Sequence, residues 1–124
     1  MNLRNAFFFV SLATLCLANA ACAQKAETAP KISISPTRVP ANGWVNVQGI
    51  GFTPNHNISS HLRRPDGSEY PVLPILTNNR GEFKHDIDTL LMATGTCELW
   101  VVDDATNVSS NVARFEVTRD QPPR

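Results

Sequence analysis

Cysteine is scarce in this chain of 124 residues, where only Cys16, Cys22 and Cys97 occur. A small fold stapled by several disulfides is thereby excluded. An excess of basic charge is also missing. The 11 Lys and Arg residues face 11 Asp and Glu residues, and no basic stripe runs along any segment, so nothing recommends nucleic acid as a partner. Long apolar runs are absent too. The longest, residues 6–17, falls short of the roughly 20 residues a bilayer crossing needs, so no transmembrane segment is expected. No stretch carries a sustained helical period, which leaves alternation as the only repeating pattern.

The chain opens with "MNLRNAFFFVSLATLCLANAACAQ", in which Arg4 precedes the apolar run and small residues follow it. This is the layout of a secretory signal peptide, assigned to residues 1–23, and it predicts export to the periplasm or the medium. Cleavage after Ala20 or after Ala23 satisfies the small-residue rule. The second is preferred and makes Gln24 the first mature residue. A lipid anchor on Cys22 is not expected, because Asn19 stands where a lipoprotein signal carries an aliphatic residue. With the first 23 residues removed, 124 − 23 = 101 remain, the size of one domain. Removal of Arg4 leaves 10 basic against 11 acidic residues, a net charge of −1. Cys97 then has no possible internal partner, whereas cleavage after Ala20 would leave Cys22 available to it. Polar residues with a terminal proline make 24–30 a flexible linker, and 119–124 a disordered tail.

Between these ends, short alternating runs are separated by Pro, Gly and Asn turn pairs. Strands are predicted at residues 31–35, 44–48, 57–63, 82–87, 96–102 and 112–118, with a proline-marked edge piece at 70–77. The "PDG" step at 65–67 marks a hairpin. About seven short strands in residues 31–118 predict an all-β, antiparallel Ig-like β-sandwich. Period-two phasing selects the core: Val45 and Val47, Ile58 and Leu62, Phe83 and Ile87, Leu99 and Val101, Phe115 and Val117.

The segments "ISISPTRVPANGWVNVQGIGFTPN", "RPDGS", "NRGEF", "GTCELWVVDD" and "ARFEVT" together resemble bacterial Ig-like domains of the IPT/TIG kind, over residues 32–118. The resemblance implies a sandwich that serves as a spacer, adhesion module or binding module. It departs from that pattern at Cys97, which occupies a position usually held by an aromatic, so no tyrosine corner is expected.

Each chemical motif is weak beside its structural alternative. In "GIGF" a third glycine and a following helix are missing, so Gly49 and Gly51 are read as a β-bulge and a corner that folds Phe52 onto the core, not as a phosphate cradle. His56, His61 and His85 lack the spacing of a helical metal pair. Asp86 with Asp88, and Asp103 with Asp104, lie at strand ends where aspartate caps turns; Asp103, Asp104 and Asn107 offer at most a weak calcium site. Ser59, Ser60 and His61 are adjacent without a nucleophile elbow. The sequons at Asn57 and Asn107 matter only in a eukaryotic secretory pathway.

The reading is therefore a non-catalytic exported binding or assembly module with no cofactor. Its partner is an unknown protein or cell-surface component, and its oligomeric state is open. The alternative is a small metal-dependent enzyme or metal-binding protein using His61, His85 and carboxylates. If Leu99 and Val101 point inward, Glu98, Trp100 and Val102 point outward. The flanking outward sets are Ser59, His61 and Arg63 on one side, and Val112, Arg114 and Glu116 on the other. Trp100 with Arg63, His61, Arg114, Val102 and Val112 is the expected interaction surface, an exposed indole among arginines being the composition of binding hot spots.

Overall fold

The computed structural model describes residues 29–119. The signal peptide expected at 1–23, most of the linker expected at 24–30 and residues 120–124 of the expected tail lie outside the described residues. Alternation in the sequence becomes strand wherever it occurs. Among the described residues nine strands form: β1 (Lys31–Ser35), β2 (Arg38–Pro40), β3 (Trp44–Ile50), β4 (Asn57–Arg63), β5 (Leu73–Leu76), β6 (Phe83–Asp88), β7 (Gly95–Asp103), β8 (Val108–Ser109) and β9 (Ala113–Thr118). One sheet has the order β1-β3-β6; the other runs β2-β9-β7-β4-β5, with β8 beside β7. All pairings are antiparallel except that of β2 with β9. This is an all-β Ig-like sandwich. In Ig lettering β1, β3 and β6 are A, B and E, while β4, β5, β7 and β9 are C, C′, F and G.

The two inner faces share one core of Ile32, Val39, Val45, Val47, Phe52, Ile58, Phe83, Ile87, Cys97, Leu99, Val101, Phe115 and Val117, all buried. The phase read from alternation holds on every long strand. Leu62 alone among the expected core residues is only partly buried, because it lies beside a cleft between the sheets. Each such aliphatic or aromatic side chain contributes about 1.5–3 kcal/mol when fully withdrawn from water.

Three expectations need correction. The edge piece at 70–77 contracts to Leu73–Leu76, since Pro71 has no N–H to offer a ladder and Tyr70 N instead donates to Leu62 O at 2.9 Å. Two further strands, β2 and β8, have three and two residues, too short to display a period. Gly49 is not at a bulge: it pairs in regular register with Ile32 on one side and Phe83 on the other. A Cβ there would fall 2.0 Å from Phe83 Cε1, so the glycine makes room for that ring. Gly51 does form the corner, with φ +82° and a Cβ position 2.6 Å from Ala29 O. Phe52 then turns inward and meets Phe83 edge-on at 5.6 Å.

Candidate functional site

The middle of the larger, six-stranded sheet is β7, flanked by β4 and β9. Antiparallel register sets His61 opposite Trp100, Arg63 opposite Glu98, Ser59 opposite Val102, and Arg114 opposite Glu98 from the other side. Glu98, Trp100 and Val102 alternate with buried Cys97, Leu99 and Val101, so their side chains project from the outer face. Glu98 is the hub. It accepts from Arg63 Nη1 at 3.2 Å and from Arg114 Nε at 3.0 Å. Arg63 also reaches Glu69 Oε2 at 3.6 Å, and His61 Nδ1 lies 3.8 Å from the other oxygen of the same carboxylate. Arg38 and Glu116 form a further pair at 3.7 Å.

The indole of Trp100 is clamped within this network. The His61 ring stacks on it at 5.2 Å with only 5° between the planes, and Arg63 Cζ lies 4.9 Å from the ring centre. Trp100 is therefore half-buried and not the open indole expected from strand phase alone, because its cross-strand neighbours cover it. Val102 is likewise half-buried. Val112 is exposed but precedes β9 instead of belonging to it. Trp44, at 59% exposure, is the more open indole of the two.

The sites weighed for chemistry come apart. His61 is on the outer face of β4, whereas His85 shares the inner face of β6 with buried Phe83 and Ile87 and lines the cleft between the sheets, so the two histidines named for a metal site face different spaces. Among the described residues no three His, Cys, Asp or Glu side chains gather at metal distance. Ser59 and His61 project outward while Ser60 is buried, and Ser59 Oγ donates to Asp104 Oδ1 at 2.8 Å. Asp103 is committed to the fold: Thr53 N and Oγ1 donate to Oδ2 at 2.8 and 2.9 Å, and Ala105 N donates to Oδ1 at 3.0 Å. Its oxygens are not presented to calcium. Burial opposes its charge, but the bonds from Thr53 and from the Ala105 and Thr106 amides outweigh that and hold its pKa below the ordinary carboxylate range. Cys97 is wholly buried opposite Phe115, and burial raises its thiol pKa, which keeps it protonated and unreactive.

One feature has no counterpart among the sequence expectations. A cleft of about 430 Å3 opens between β6 and the β4–β5 side of the sandwich, with Leu62, Leu73, Ile87, Met92 and Leu99 in its walls. Leu90 and Leu91 line it too and remain 57% and 93% exposed. Its trace in the sequence is "TLLM", apolar residues where a turn is otherwise polar.

No protein-family model and no curated protein matches this sequence. Among solved structures it is similar to the PKD domain of an M14-like peptidase from a Thermoplasmatales archaeon, at 20% identity and TM-score 0.42, covering 75% of this chain and 94% of that one. Macromomycin is similar at 11% identity and TM-score 0.49, covering 73% and 99%. The CARDB domain of the PF1109 protein from Pyrococcus furiosus is similar at 17% identity and TM-score 0.45, covering 76% and 93%. None of the three carries an activity over to this chain. Among the described residues no helix is long and apolar enough to cross a membrane.

Proposed function

We propose that this chain is an exported, non-catalytic Ig-like module of the IPT/TIG kind, acting in the periplasm or outside the cell, that docks a protein partner through the outer face around Trp100. The observation that carries this reading is the ordered cluster of Trp100, His61, Arg63, Glu98 and Arg114 on three adjacent strands. Cross-strand pairing already holds these long side chains, so less of their own entropy would be lost on docking a partner than on a mobile surface. Aromatic and arginine side chains supply most of the binding energy at such surfaces. Export is supported by the leader pattern at residues 1–23. The separation of His61 from His85 removes the constellation on which a metal-dependent enzyme would rest.

Site-specific photo-crosslinking tests the face. A benzoylphenylalanine in place of Val112, beside the cluster, should give a discrete adduct in the exported protein fraction of the source cells. The same residue in place of Gln48, exposed on the other sheet, should give none. Adducts from position 48 alone, or equal adducts from both, would reject this face as the docking surface.

A further inference from the structure

Sheet edges invite pairing unless something blocks them. β2 has three residues and ends on Pro40; β5 has four, with Pro74 among them. The outer side of β1 is bracketed by Asn111, whose Oδ1 accepts from Ile32 N at 2.8 Å and whose Nδ2 donates to Ile32 O at 3.1 Å. β6 differs. It has six residues and no proline, and among the described residues it pairs only with β3. Thr89 N donates to Gly43 O at 3.0 Å, which fixes the parity of the ladder: residues 83, 85 and 87 bond to β3. The amides and carbonyls of Lys84, Asp86 and Asp88 therefore turn to the open side.

That open edge borders the cleft between the sheets. Its walls are apolar, Leu73, Leu90 and Leu91 are exposed around it, and the carboxylate-bearing residues lining it are Asp86 and Asp88. In Ig lettering this is the place of strand D, beside E.

We infer that β6 is a strand-addition site for an extended segment of a partner protein, apolar at alternate positions and basic at the positions between. Such a segment would satisfy the outward amides and carbonyls of Lys84, Asp86 and Asp88, as in other β-augmentation complexes. Its inward side chains, opposite His85 and Ile87, would enter the cleft. Its outward side chains would lie beside Lys84, Asp86 and Asp88, where two carboxylates against one ammonium favour cations at the Asp86 and Asp88 positions. A second copy of this chain is the rival occupant: pairing β6 with itself about Asp86 sets Asp86 against Asp86 but Lys84 against Asp88 on either side, and a peptide-free dimer is the outcome that would reveal it.

The probe is an acetylated, amidated (Val-Lys)4 peptide titrated into the 15N-labelled protein, with (Val-Glu)4 as control. The inference expects saturable binding of the basic peptide at least ten-fold tighter than of the acidic one, with new hydrogen-exchange protection at the Lys84, Asp86 and Asp88 amides. The double variant Asp86→Asn, Asp88→Asn should weaken binding several-fold while keeping a native spectrum. Trp100→Ala should leave it unchanged, which separates this site from the face proposed above. Equal affinity for both peptides, protection elsewhere, or β6 protection in a peptide-free dimer seen by sedimentation would overturn the inference.

Discussion

Asp103 shows how a single residue can be legible in type and hidden in role. Its position after a valine run marks the end of a strand, and aspartate there predicts a turn cap, which the Ala105 amide confirms. The bonds from Thr53, 50 residues earlier in the chain, could not be read, because only the fold brings the two together. Asp103→Asn should cost about 2 kcal/mol at pH 7, the scale of hydrogen bonds to a buried charge, measured as a lower urea midpoint. The pH dependence has a definite sign. A folded pKa held below the unfolded value, near 3.9, means the contribution is fully present above about pH 4 and is lost as pH falls through the folded pKa. The gap between wild type and variant should therefore narrow in acid. A gap that is constant or widens on acidification would show that the charge of Asp103 does not contribute as described.

At the scale of elements, strands with period-two alternation announced themselves, and their inner faces follow from phase alone. β1 and β4 have the bounds read from the sequence, while β3 runs two residues beyond its expected end. That difference traces to Gly49, expected at a bulge and in fact a regular ladder position emptied of side chain for the Phe83 ring. Gly49→Ala should destabilise the sandwich by about 1–3 kcal/mol through overpacking. The double variant with Phe83→Leu should be less destabilised than the sum of the single changes, because the two alterations share one contact. Strict additivity in urea unfolding would contradict the ring-on-glycine packing. Cover over a surface residue was beyond the sequence's reach in the same way: register can be inferred from phase, but the stacking of His61 on Trp100 depends on rotamers.

For the whole molecule, the sandwich supplies a rigid platform whose two sheets present different chemistry. The six-stranded sheet carries an ordered aromatic and ionic cluster; the edge of the three-stranded sheet carries an open strand beside an apolar cleft. The sequence pointed to the first, because alternation assigns outward residues, and was silent on the second, because an unpaired edge is a property of topology. The central claim is that a partner binds through Trp100. Its most direct measurement is the affinity of the crosslinked partner, once purified, for wild type, Trp100→Ala and Trp44→Ala proteins by isothermal titration calorimetry. Trp100→Ala, shown folded by its amide spectrum, should bind about 30-fold more weakly, the equivalent of about 2 kcal/mol at a hot spot, while Trp44→Ala binds as wild type. Undiminished affinity of Trp100→Ala would contradict the account.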